Sequence, residues 1–294
     1  MVRWGWIGFL LLAACGGDDD GGGEGGGTAD AMAEVDAEPP PGSCDPAERQ
    51  TRDRADEVSG YQIHVVVAVP SDGEDRQLDT AGILAATVSV WNGWLDEAAG
   101  GSHLRLDTCD GELDVTFARL RQTDAEIAAR GAYVRDEVEA LLRADGLIAD
   151  DKLYAVYYDG SSTYSCGGGA WPPALRGQVA ALYLRGVPPG APPCDSITFA
   201  GEGDPPGYRE FAMLHEIVHT LGMVAEAAPH HNLAGHCNDT AGTDLMYAGP
   251  DPWYPAVLDQ GHDDYYDHGQ AMPDLAKSAF LDPLPAGAEL PPAW

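Results

Sequence analysis

The sequence predicts an α+β domain: a twisted mixed β-sheet packed against helices, followed by an irregular, loop-rich C-terminal part. Three observations point there. Apolar, β-branched runs at Tyr61–Val69, Lys152–Tyr158 and Gln178–Leu184 read as buried strands. Helical spacing of apolar residues marks about 77–98 (Ile83, Leu84, Val88, Trp91, Leu95), 123–144 and 208–222. Beyond Gly222 both periodicities fade until a short helix predicted at about 272–281.

Taken in order, the chain opens with Met1-Val2-Arg3 and an apolar run, Trp4 to Ala14, too short to span a bilayer. Leu12-Ala13-Ala14-Cys15-Gly16 then resembles a bacterial lipobox. That resemblance implies a lipoprotein signal peptide over 1–14, lipidation of Cys15, and an exported protein at the outer membrane, facing the periplasm or the cell surface. Its only membrane contact is then the lipid anchor. Residues 15–43, rich in Gly, Asp and Pro, cannot bury a core and read as a disordered stalk. Residues 44–294 are expected to form one domain. Within it, His103–Thr108 alternates as a strand that can pair with Leu113–Leu120, and Thr123 with Glu126 forms a capping box for the 123–144 helix. Ser161–Leu175 and Val187–Pro193 read as Gly- and Pro-rich loops. An exported compartment permits disulfides, and Cys166–Cys194 and Cys44–Cys109 are the expected pairs, with Cys237 left over.

A net charge of −32 and a pI near 4.2 argue against nucleic acid and anionic lipid as partners. The aspartates can hold structural Ca²⁺, but no Asp-x-Asp-x-Asp-Gly loop appears. His262 and the run Asp263-Asp264-Tyr265-Tyr266-Asp267-His268 are expected to be a polar surface segment, with lining a cleft or binding an ion as the alternative.

The chemistry concentrates in His215-Glu216-Ile217-Val218-His219. On a helix, residues four apart share a face. Two neutral imidazoles there can bind one Zn²⁺. Glu216 then stands where a metalloprotease keeps its general base. Phe211, Leu214, Val218 and Leu221 form a second stripe that anchors the helix, and Gly222 is its stop.

His215-Glu216-x-x-His219-x-x-Gly222, followed by a histidine-rich segment and Met246, resembles the metzincin clan of zinc endopeptidases. The resemblance covers about 208–250. It implies a twisted sheet above a cleft, a third histidine ligand, a Met-turn at Met246 and peptide or protein substrates. The usual position of the third histidine, three residues after the glycine, is Ala225 here. The leishmanolysin-like branch displaces that ligand, so His230, His231 and His236 are the candidates. His236 is favoured: it follows Gly235 and precedes Met246 by ten residues. His231 is the alternative. Aspzincins take an aspartate ligand from Gly-Thr-x-Asp, which Gly242-Thr243-Asp244 matches imperfectly. Gluzincins need a downstream glutamate, and after Glu226 there is only Glu289, a poor ligand position among prolines near the C-terminus. A lipid-anchored, catalytically inert binding protein with a structural zinc site is the contrasting reading, and intact Glu216 argues against it. A zinc hydrolase for a non-peptide amide is a third. Natural substrate and oligomeric state are not legible.

Overall fold

The computed structural model describes residues 44–189, 192–238 and 241–292, all within the compact unit Pro40–Trp294. The expected signal peptide, the lipidation site Cys15 and the stalk lie outside the described residues.

The domain is α+β, as predicted. Its sheet holds β1 (Gln62–Val69), β2 (Val115–Arg119), β3 (Lys152–Ser161), β4 (Gly167–Trp171) and β5 (Leu175–Arg185), in the order β2-β1-β3-β5-β4. All pairings are parallel except β4 with β5, which is antiparallel. Both faces are covered. Ile63, Val65, Val67, Tyr157 and Leu182 face α1 (Ile83–Ala98) and α4 (Tyr208–Thr220). Val66, Ala68, Val156, Ala181 and Tyr183 face α2 (Asp124–Ala128) and α3 (Val134–Ala144). Burial on two faces explains why Val65–Val69 of β1 reads as an unbroken apolar run instead of an alternating one. Each of these valine, leucine and isoleucine side chains withdrawn from water contributes about 1.5–3 kcal/mol.

Several expectations shift. The first helix begins at Ile83, because Gln77 and Gly82 take left-handed backbone conformations and 77–82 forms turns. The 123–144 helix is two helices. Thr123 and Glu126 do form the capping box of α2, but Gly131, at φ 59°, breaks the run before α3. Of the expected 103–108 strand, His103–Leu104 pairs with Leu281–Asp282, and Leu106 makes a single parallel bridge to Ile63 of β1. Thr108–Cys109 and Glu112–Leu113 form a hairpin around Asp110-Gly111, both at positive φ, the geometry a tight hairpin turn requires. Val115–Arg119 therefore joins β1. The expected helix at 272–281 reduces to one turn, Leu275–Lys277, capped by Asp274. Cys166 is bonded to Cys194 and Cys44 to Cys109, and Cys237 is a buried free thiol. Among the described residues no helix is long and apolar enough to cross a membrane.

The largest correction is β4, which lies in the segment read as loop. Its Gly167-Gly168-Gly169 run carries no side-chain periodicity. A Cβ at Gly169 would stand 2.5 Å from the Glu216 carbonyl oxygen, and one at Gly167 2.7 Å from Glu216 Oε1. The glycines are thus what lets an edge strand lie directly on α4.

The acidic-aromatic run is also corrected: Asp264, Tyr265 and Tyr266 are buried, not a surface segment. Asp259 Oδ2 accepts the Asp264, Tyr265 and Tyr266 N–H groups at 3.2, 2.8 and 2.8 Å, so the run folds around one carboxylate.

Beneath the sheet's other end, Lys152 Nζ donates to Asp53 Oδ2, Asp56 Oδ1 and Asp107 Oδ2, each at 2.6 Å. His64 Nδ1 bonds the same Asp107 oxygen at 2.7 Å and its Nε2 meets Thr116 Oγ1 at 2.9 Å. Asp53, His64, Asp107 and Asp114 have metal-ligand proximity, but the Lys152 ammonium already supplies the cation among them.

Candidate metal centre

The motif helix is built to be rigid. Pro205-Pro206-Gly207 precedes α4, and buried Glu210 caps it: Oε2 accepts the Gly207 N–H at 3.0 Å, while Oε1 accepts the Ala200 N–H at 3.0 Å and the Thr87 hydroxyl. At the other end Gly222 (φ 94°) makes the left-handed turn. Gly222 N–H donates to His219 O at 2.8 Å and Met223 N–H to Val218 O at 3.2 Å, the two bonds of a Schellman stop. That stop folds the Met223 carbonyl back under the helix, where it accepts from His219 Nδ1 at 3.0 Å.

The other two imidazoles are held the same way. His215 Nδ1 donates to Leu245 O at 2.7 Å, and His236 Nδ1 donates to Leu233 O at 3.0 Å. A carbonyl can only accept, so each Nδ1 carries the proton and each Nε2 offers a lone pair. His236 is delivered by a two-residue ladder, His231–Asn232 with His236–Cys237, which turns through Ala234 and Gly235 at positive φ.

His215, His219 and His236 place their ligand atoms within 4.8 Å of one another. His219 Nε2 and His236 Nε2 are 3.2 Å apart. Two nitrogens each about 2.0–2.1 Å from a tetrahedral Zn²⁺ are about 3.3–3.4 Å apart. Two bare lone pairs at this distance repel unless a cation lies between them. Burial, reinforced by its histidine neighbours, lowers His215 to about 3 and holds His219 well below its ordinary value. Burial also lowers His236. All three are therefore neutral near pH 7, the form that ligates metal. The donor set fits Zn²⁺.

The remaining candidates lie elsewhere. His231 stacks on Trp171, with ring centroids 5.6 Å apart and planes 11° apart, and is outside the three-histidine group. His230 bonds Asp264 through its N–H at 2.8 Å and its Nδ1 at 2.9 Å. Asp244 is committed to structure: it accepts the Met246 N–H (2.8 Å), the Gln260 N–H (2.7 Å) and the Tyr265 hydroxyl (3.0 Å). These bonds shape the turn at Met246, a fully buried residue. The turn carries two ligands, because Leu245 O holds His215 and Met246 O accepts the Cys237 N–H at 3.0 Å beside His236.

Glu216 is half-buried under β4. Burial pushes its carboxyl up to about 8, while the Gly169 N–H favours the charged form. Sequence reasoning gave no role to Glu210, Asp259, Trp253 or the β4 glycines, and it weighed Asp244 only as a metal ligand. Trp253 donates to Leu245 O at 3.2 Å and meets the His215 ring edge-on at 5.6 Å. The glycines left a signal, an unusually dense Gly run shortly before a strand. The carboxylates left none, since Asp and Glu are common throughout this chain.

No family profile matches the chain, and neither does any curated protein. Among solved structures it is similar to archaemetzincin from Methanopyrus kandleri, with 16% identity, TM-score 0.34, and 64% of this chain and 82% of that one covered. It is also similar to wild-type OgpA from Akkermansia muciniphila, with 15% identity, TM-score 0.36, and 74% and 62% covered. A catalytically inactive OgpA in complex with an O-glycopeptide substrate matches at 13% identity and TM-score 0.32, over 69% and 58%. The chain thus spans about three-fifths of the length of OgpA. Likeness at this level fixes neither activity nor substrate, so the functional reading rests on the geometry of the three histidines.

Proposed function

We propose that this chain is a zinc-dependent endopeptidase in which His215, His219 and His236 hold the ion and Glu216 is the general base. The observation that carries the reading is the convergence of three Nε2 atoms whose Nδ1 partners are all occupied. When bound, zinc polarises a carbonyl and makes water acidic near neutral pH. The protein's own residues do the rest. No strand pairs with the outer edge of β4 among the described residues, and an extended peptide added there takes over backbone groups now held by local contacts, the Gly169 N–H to Glu216 and the Ser165 hydroxyl to Gly167 O. Such pairing sets the scissile carbonyl beside Glu216. Glu216 takes the proton of the attacking water and returns it to the departing amine nitrogen.

The site-bearing domain is proposed to be held at the outer membrane through lipidated Cys15. Two disulfide bonds support an exported location.

The test is metal removal. Treatment with a chelator is expected to abolish casein and peptide cleavage, and one equivalent of Zn²⁺ to restore it. Unchanged cleavage after verified zinc removal contradicts the reading. So does a zinc-loaded protein that cleaves nothing in a broad peptide library, which leaves the inert binding protein standing.

A further inference from the structure

Past the end of the rim strand lies a second feature. The turn after β4, the chain leaving α4 and the C-terminal segment border an open apolar pocket of about 460 Å³. Trp171, Pro173 and Ala174 form one wall, Ala227 another, and Met272 with Pro292 the third. This volume is in the range of small-molecule pockets and exceeds what one apolar side chain fills. Met272 adds an adaptable surface, since its flexible thioether can follow different apolar shapes.

Its position relative to the metal centre follows from β4. Gly167 abuts the Glu216 carboxylate, and Gly169 abuts the Glu216 carbonyl and His219 Cβ. Trp171, two residues on, donates from Nε1 to Val224 O at 3.0 Å and lies against Gly235, beside the ligand His236. The strand therefore runs from Glu216 past His219 and ends at the pocket. A peptide added antiparallel to β4, the pairing of slightly greater stability per residue, places its N-terminal portion at the Trp171 end.

We infer that this pocket is a specificity subsite that takes a large apolar side chain (leucine, methionine or phenylalanine) on the N-terminal side of the scissile bond. The inference rests on the peptidase reading and adds substrate class to it. The occupant is a substrate side chain because the pocket is continuous with the strand on which the substrate docks. The walls are an indole, proline rings, alanine methyls and a thioether. Exposed Glu226 is the only ionisable residue on the wall beside the motif helix.

The experiment profiles zinc-loaded wild type on a peptide library randomised on both sides of the cleaved bond. Ala174→Phe and Ala227→Phe, which fill the pocket from two different walls, are profiled beside it. Wild type is expected to prefer Leu, Met or Phe over Ala by at least tenfold in kcat/KM at one position N-terminal to the bond. Both variants should cut that ratio at least tenfold. The ratio is internal to each protein, so partial loss of folded enzyme does not move it. A preference only on the C-terminal side, no apolar preference, or a ratio that survives both substitutions overturns the subsite and leaves the peptidase reading intact. Absence of any cleavage by wild type overturns the peptidase reading, and the subsite with it.

Discussion

Glu216→Gln is expected to lower kcat/KM for every cleaved peptide by about 10²–10⁴-fold, about 2.7–5.5 kcal/mol of barrier, with zinc still bound one to one. The glutamine matches the glutamate in shape, so it keeps its place under Gly167 and Gly169. It cannot take a proton from water. It also removes nothing from the metal, because the three imidazoles are positioned by the carbonyls of Leu245, Met223 and Leu233 and not by Glu216. Burial alone holds the Glu216 carboxyl up at about 8, and a neighbouring dication draws such a group down toward neutrality, where a general base works best. Retained zinc with unchanged kcat/KM would remove Glu216 from the chemistry.

Lys152→Met is expected to destabilise the fold by about 3–5 kcal/mol near pH 7, read by denaturant melts. The methionine fills similar space but leaves Asp107, 1% exposed, without its ammonium partner. Burial by itself would raise Asp107, yet the bonds from His64 and Lys152 hold it below the usual carboxylate value. Burial by itself would lower Lys152, yet its three carboxylates hold it above the usual ammonium value. The sign of the pH dependence follows. A depressed carboxyl stabilises above its unfolded pKa of about 3.9 and loses that contribution as pH falls through the lower folded value. The gap between wild type and variant should therefore be widest near neutrality and close in acid. A gap that widens on acidification contradicts the assignment.

The sequence made the motif helix legible because helical period and ligand spacing coincide on one segment. The strands β1, β3 and β5 were legible because burial on both faces leaves continuous apolar runs. His236 could be favoured from Gly235 and Met246 alone, and it is the histidine that stands with His215 and His219. What stayed hidden is of two kinds. β4 is a strand by virtue of what its glycines lack, and a missing side chain has no period. The polar networks join residues far apart in the chain. Lys152 reaches Asp107 45 residues away and Asp53 99 away, and Thr87 reaches Glu210 across 123 residues. Nothing local marks such partners. The acidic-aromatic run at 263–268 reads as surface from its composition, while its burial depends on the nearby Asp259 carboxylate and on the more distant Asp244.

Everything above depends on one cation shared by three side chains. The most direct test is an anomalous-difference map, collected at the zinc edge, from crystals of the protein loaded with one equivalent of zinc. The account predicts a single strong peak about 2.0–2.1 Å from Nε2 of His215, His219 and His236 together. A peak among His230, Asp263 and Asp264, or one bonded to His231 in place of His236, would contradict it.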